Sequence, residues 1–421
     1  MEMEKQVSCR IEGEEEEKET TISFCDEIEE KILLNLPIKS LLRFKCVSKP
    51  WYTRITNSRF IHKHLRLSQS QANNNKLNLM LHDTYGPLSY YGNQFLDDDD
   101  AIATPTPLPL NQPLLLDFSD DEKKLHKFHI VGSCDGLLLV VVTWDNGFLV
   151  RRGADVIYIW NPTTREYKTL PKLVPTDRGS WDPMVYGFGR DPTIDNNYKV
   201  LHLGQSEVHL YTTQTNSWKT LLPDIPFYCS GDDASSMKLA YANLHFIAEI
   251  KGSGDFRKSV VSFDLKDDKF RALPHPPFKG DSHPHLKDLC ALNGGLWAFS
   301  GSRDLTLYCL WMMKNFGEEE RHWKKMFSFN KDVIMDNPPL YFSSAVDFLQ
   351  DGRQVLLTAK YKRPHESKSN SCVICYHIDT KRARILIEPV PASWSMAAVY
   401  VESLISPNAT STDDDNRDIS N

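Results

Sequence analysis

The stretch VIYIWNPTTREYKTLP, Val156 to Pro171, runs as an apolar strand ending in an aromatic, a polar turn, a second aromatic and then Leu-Pro. The same order returns in EVHLYTTQTNSWKTLLP (Glu207–Pro223) and SVVSFDLKDDKFRALP (Ser259–Pro274). Weaker copies are TLYCLWMMKNFGEEERHWKKMF, from Thr306, and SCVICYHIDTKRARIL, from Ser371. The aromatics Trp160, Tyr211, Phe263 and Trp311 fall roughly fifty residues apart, and self-similarity at such a period marks a repeat architecture.

A hairpin stands before each unit. The segments VGSCDGLLLVV, YGFGRDPTIDNNYKVLHL, KLAYANLHFIAEI, DLCALNGGLWAFS and AVDFLQDGRQVLLTA each read as strand, a turn of Asp, Asn or Gly, and strand. Each period therefore holds four strands, as a kelch-like β-propeller blade requires. One blade alone leaves both sheet faces bare, and radial stacking covers them. Five blades can be read from Phe128 to about Ile387. The segment SMAAVYVESLISP, Ser395 to Pro407, supplies one more strand. It is expected to close the ring against strands near Leu77–Asp83, Leu88–Phe95 and Leu114–Phe118. The expectation is an all-β, kelch-like β-propeller of six blades, with seven as the alternative.

A small all-α unit precedes it. In SFCDEIEEKILLNLP, Ser23 and Asp26 have capping-box spacing, and Asp26, Glu27, Glu29 and Glu30 suit the positive end of a helix dipole. Ile28, Ile32, Leu33 and Leu36 make one apolar stripe, and Pro37 stops the helix. A second helix is expected from about Ser40 to Val47. Ser48 can cap a third, with Pro50 in its first turn, and Ser58 a fourth. The apolar residues exceed what so small a bundle can bury, so either it packs on the β domain or it completes its core on a partner.

The rest of the composition is restrained. Net charge is -7, spread along the chain, without the basic stripe of a nucleic-acid binder. The nine cysteines follow no disulfide framework, which suits a reducing compartment. Cys372 and Cys375 form the C-x-x-C with no second pair nearby, so no zinc is expected. The acidic MEMEKQVSCRIEGEEEEKET lacks the basic start and apolar core of a signal peptide, and GLLLVVV (Gly136–Val142) is too short to span a bilayer. A cytoplasmic or nuclear protein is expected, with no membrane or nucleic-acid partner.

Catalytic motifs are not found: there is no G-x-S-x-G, no P-loop and no H-E-x-x-H. The G-x-G of GFGRDP reads as close blade packing. His283 and His285 flank Pro284 without an evident third metal ligand, and Asn161, Asp195 and Asp264 read as turn caps. No catalytic residue, metal or cofactor is assigned.

The segment CDEIEEKILLNLPIKSLLRFKCVSKPWYTRITNSRFIHKHL, Cys25 to Leu65, resembles an F-box, and LP-K-SL-RF-CVSK-W is close to a signature of that family, especially in plants. The segments GSCDGLLLV, IWNPTTREYKTLP, YGFGRDPTIDNNYKV and YVESLISP resemble the F-box-associated interaction domain of plant F-box/kelch-repeat proteins. The resemblance implies a module that binds a Skp-type adaptor and so joins a cullin-based (SCF) ubiquitin ligase. It places Phe24, Ile28, Ile32, Leu33, Leu36, Pro37, Leu41, Leu42, Val47 and Trp51 on the adaptor face. The family opens this module with Leu-Pro; Phe24-Cys25 stands here. Cys25 lacks proline's fixed φ, which predicts a looser start to the first helix and weaker docking.

The domains then read as an acidic tail (1–20), the F-box (21–67), a linker contributing edge strands (68–124), the propeller (125–407) and a second acidic tail (408–421). The implied function is substrate receptor of an SCF ligase, with a target protein on the propeller. An F-box scaffold outside a ligase and a propeller enzyme or sugar-binding lectin are the alternatives. Within a blade the turns after the first and third strands are short, and the loops after the second and fourth are long. The long-loop face is therefore the expected target side, with Trp144, Arg151, Arg152, Arg178, Trp181, Phe227, Tyr228, Phe256, Arg257 and His283 as candidate contacts.

Overall fold

The computed structural model describes residues 26–75, 78–83, 88–91, 108–109, 125–145, 156–173, 185–204, 207–223, 227–228, 237–250, 258–277, 285–331, 340–349, 352–361, 370–390 and 394–409. Four helices come first: α1 (Asp26–Leu34), α2 (Ile38–Phe44), α3 (Lys49–Thr56) and α4 (Ser58–Asn75). Pro37 does more than end α1. Its φ of -59° and ψ of 146° make it the N-cap of α2, which therefore starts before Ser40. Ser48 caps α3 as expected, its Oγ accepting from the Trp51 N–H at 3.3 Å. At α4 the cap is Asn57, whose Oδ1 accepts from the Phe60 N–H at 3.4 Å, and Ser58 is already helical. The acids of α1 also bind across helices: Arg54 reaches Asp26 at 2.9 Å and Glu29 at 2.7 Å, and Lys63 reaches Glu30 at 2.7 Å.

Five antiparallel sheets of consecutive strands follow, one per sequence period. The first blade comprises Leu125–Cys134, Leu137–Asp145, Val156–Asn161 and Glu166–Thr169. The second comprises Val185–Arg190, Tyr198–Leu203, Val208–Thr212 and Ser217–Leu221. In the third, Phe227–Tyr228 and Lys238–Ala240 both pair with Asn243–Ile250, followed by Lys258–Asp264 and Lys269–Leu273. The fourth comprises His285–Leu292, Gly295–Gly301, Leu307–Lys314 and His322–Asn330; the fifth Tyr341–Leu349, Gln354–Tyr361, Asn370–His377 and Arg382–Val390.

A further sheet joins the two ends of the β region, in the order Trp394–Tyr400, Asn78–Asp83, Leu88–Tyr91, Leu108–Pro109. Leu79 pairs with Val399 and Leu81 with Ala397, so the C-terminal strand closes against the expected linker strand. The third linker strand is Leu108–Pro109; Leu114–Phe118 lies outside the described residues. The expected propeller is present, but the expectation of six blades, with seven as the alternative, is corrected to five blades of consecutive strands, the remaining strands pairing as one composite sheet of chain ends. The first strands of neighbouring sheets lie side by side, with Trp394–Tyr400 between Tyr341–Leu349 and Leu125–Cys134.

The core runs between blades. Gly187 and Gly189 lie where a Cβ would come within 2.6 Å of Met237 Sδ and of Leu265 Cδ1 respectively, which is the close blade contact expected of GFGRDP. The aromatic and Leu-Pro of the repeat have a joint use. Trp218 Nε1 donates to Pro171 O of the preceding blade at 2.8 Å, and Trp323 Nε1 donates to Pro274 O at 2.6 Å. The paired leucines Leu170 and Leu273 are buried between blades. Cys372 and Cys375 are buried in the fifth blade, where Cys375 Sγ lies 2.9 Å from Gln354 Oε1.

Candidate functional site

On the helical module, one helix face is inward and another faces solvent. Leu33 and Leu34 of α1 enter a core with Ile38, Leu41, Ile55, Phe60 and, from the far end of the chain, Leu404. Ile28 and Ile32 stand one turn apart on the other side of α1, each 47% exposed. Val47, in the turn before α3, is 62% exposed, and Tyr52 of α3 is 55% exposed. Of the nine exposed large apolar residues among the described ones, these four lie in the helical module.

This sorts the residues expected on the adaptor face. Ile28, Ile32, Pro37 and Val47 are exposed and free to touch a partner. Leu36, Leu42 and Trp51 are half-buried, flanking the helical core. Trp51 is held from two sides: its Nε1 donates to Glu29 Oε1 at 2.6 Å, and its ring tilts on Phe44 at 5.2 Å. Leu33 and Leu41 have no exposed surface, so they are corrected from contact residues to core residues that hold α1 and α2 in place. Phe24 lies outside the described residues. Tyr52 escaped the sequence reading because it falls beside Trp51 and off the apolar stripe; exposure alone reveals it.

The helices sit on one side of the propeller. Antiparallel strands put the turns after first and third strands on one face and the remaining loops on the other. Gln69 Nε2 of α4 donates to Asp135 Oδ1 at 3.2 Å, in the first short turn of the first blade. Half-buried Lys45 has its pKa lowered by burial, against the pull of Glu166 at the start of that blade's fourth strand. Leu65 of α4 joins the core that contains Val131, Leu137 and Ile405. The helical module therefore covers part of the face that carries the short turns of the first blade.

Of the expected target contacts, Arg151, Arg152, Arg178, Trp181, Phe256, Arg257 and His283 lie outside the described residues. Trp144 sits near the end of a first-blade strand, paired with His126, and Tyr228 pairs with Glu249. Phe227 is a packing residue: its ring lies 5.3 Å from Phe246 and 5.2 Å from Phe270, at the edge of the third blade's core. Asn161 is a turn cap, as expected, with Oδ1 accepting from the Thr163 N–H at 2.9 Å, but it also reaches the C-terminal segment. Among the described residues, no three His, Cys, Asp or Glu side chains are grouped to hold a metal ion.

Two family models match the chain. Residues 22–63 match the F-box domain, and residues 109–407 match the F-box associated beta propeller domain. An F-box/kelch-repeat protein of Arabidopsis thaliana is 26% identical over 404 residues, 91% of this chain and 95% of that protein. A second F-box protein of Arabidopsis thaliana is 25% identical, covering 83% of this chain and 82% of its own length. An F-box/WD-40 repeat-containing protein of Arabidopsis thaliana is 25% identical over 72% of this chain and 68% of that protein.

Proposed function

This chain belongs to the F-box-associated β-propeller family, and we infer that it is the substrate-recognition subunit of an SCF-type ubiquitin ligase. In this reading the F-box docks a Skp-type adaptor, the adaptor joins the cullin, and the propeller holds a target protein for ubiquitination. The chain itself is a non-catalytic receptor: it supplies position, and the ligase's other subunits supply the chemistry.

The observation that carries the reading is the F-box itself, with Ile28 and Ile32 of α1, Tyr52 of α3 and Val47 in the turn before α3 exposed beside a core of Leu33, Leu34, Ile38, Leu41 and Ile55. Exposed apolar side chains on so small a unit favour a protein partner. The seating of the F-box on the short-turn face supports the long-loop face as the target side, because that face stays free when the adaptor is bound. Trp144, Arg151, Arg152, Trp181 and Tyr228 are proposed there as contacts.

Adaptor binding by the full chain tests the reading. Ile32→Arg and Val47→Arg change exposed residues, so folding is expected to be retained. A buried, unpaired guanidinium costs several kcal/mol. Each variant should therefore bind a recombinant Skp-type adaptor at least about a hundredfold more weakly, as read by titration calorimetry. Wild-type affinity in both folded variants would reject the proposed face.

A further inference from the structure

The segment after the last strand, Val401 to Ile405, lies between the two halves of the molecule. Consecutive side chains go opposite ways. Leu404, 5% exposed, completes the F-box core beside Leu33, Leu34, Ile38 and Leu41. Ile405, 2% exposed, enters the core formed by the first two blades. Ser403 has no exposed surface, and its Oγ accepts from the Ile405 N–H at 3.3 Å.

The first blade grips this segment by its backbone. Asn161 Nδ2 donates to Ser403 O at 3.0 Å and to Ile405 O at 2.7 Å. Both bonds are buried, where a backbone carbonyl needs a donor. Asn161 Oδ1 meanwhile accepts from the Thr163 N–H, and Tyr400 Oη donates to the same oxygen at 3.4 Å. Tyr400 Oη also meets Thr163 Oγ1. Opposite them, Gly136 has a φ of +80°, and a Cβ there would lie 2.4 Å from Ser403 Oγ and 2.6 Å from Val401 O. A side chain at that turn would push the segment off.

We propose that Tyr400–Ile405 is a clasp, locked by Asn161, that makes the F-box and the propeller one cooperative body and fixes the angle between adaptor side and target side. The strand that closes the ring runs directly into the residue that completes the F-box core. Loosening one end of this connection therefore loosens the other. The competing arrangement is two independent modules tethered through residues 68–124. The proposal rests on this geometry and does not depend on the identity of the adaptor.

Hydrogen exchange of the full chain, followed by mass spectrometry, separates the two. Asn161→Ala removes both donors from a position in the first blade, outside the F-box. Peptides from α1 to α3 should then exchange at least about tenfold faster than in the wild type, together with peptides covering 400–408. Asn161→Asp retains the acceptor for the Thr163 and Thr164 N–H groups while losing the donors, and should show the same effect should Asn161→Ala fail to fold. Accelerated exchange in α1–α3, alone or together with the blades, supports one body. Unchanged exchange in α1–α3 while 400–408 accelerates would overturn the clasp.

Discussion

Lys199 shows what single residues contribute between blades. It lies in the second blade, 7% exposed, with Asp191 at 2.9 Å and Asp268 of the third blade at 2.8 Å, and it donates to Leu265 O at 2.5 Å. Burial works against its ammonium, yet Asp268 and Asp191 outweigh it and hold its pKa above that of ordinary lysine. Lys199→Met leaves Asp191 buried without its cation and should cost on the order of 3–5 kcal/mol in a denaturation midpoint series. The tryptophan links are smaller. Trp218→Phe and Trp323→Phe each strip a proline carbonyl of its donor and should cost about 1 kcal/mol apiece. Two histidines set a pH dependence. Burial, then the nearby charge of His209, lowers His202 to about 3, and burial lowers His245 to about 4 against the pull of Ala240 O. Both are neutral in the folded state, while the unfolded chain takes up protons near 6.5. Their contribution is full above that pH and is lost as pH falls toward 4. The melting temperature should drop between pH 7 and pH 5, and His202→Gln with His245→Gln should flatten that drop; an equal drop in the double variant would count against it. The repeat's aromatic and Leu-Pro were legible as a blade marker, but their hydrogen bond was not. It joins residues of successive blades, and periodicity carries no information on which partner a Trp N–H will find.

At the scale of elements, strands and hairpins could be read because alternation and turn residues recur once per period. The helices were legible from caps and apolar spacing, with two shifts. Pro37 starts α2 as well as ending α1, and Asn57 takes the cap assigned to Ser58. The misassignment of Leu33 and Leu41 to the adaptor face has a physical cause. Core and docking residues on a short helix are both apolar, and only the placement of the neighbouring helices separates them. The C-terminal strand was legible as the closing strand, since an unpaired apolar strand at one end needs an edge at the other. A chain ending at Ser393 loses Trp394–Tyr400 and with it the pairing to Asn78–Asp83. It should be insoluble or melt without a cooperative transition by calorimetry. Ending the chain at Ala409 removes a polar, charged stretch and should leave melting within a degree or so of the full chain, since surface changes away from buried contacts rarely matter.

For the whole molecule, period and composition implied two units but not their seating. Leu404 and Ile405 sit in ESLISP, which reads as one more strand, and nothing in the spacing says that one residue serves the F-box and the next the propeller. The seating is what the proposed choice of target side rests on. Paired alanine substitutions at Arg151 with Arg152, and at Trp181 with Tyr228, should weaken capture of a target by at least tenfold while leaving adaptor binding unchanged. Silence at those positions, with loss on changing Arg165 and Asn216 of the short-turn face, would put the target on the other side. In the proposed function this chain bridges a ligase to a target through its F-box. Size-exclusion chromatography with light scattering, on the full chain mixed with a Skp-type adaptor and a cullin, tests it most directly. One ternary species holding one copy of each is expected, which Ile32→Arg dissolves into free chain and adaptor–cullin pair. A folded wild-type chain that elutes alone at micromolar concentrations would contradict it.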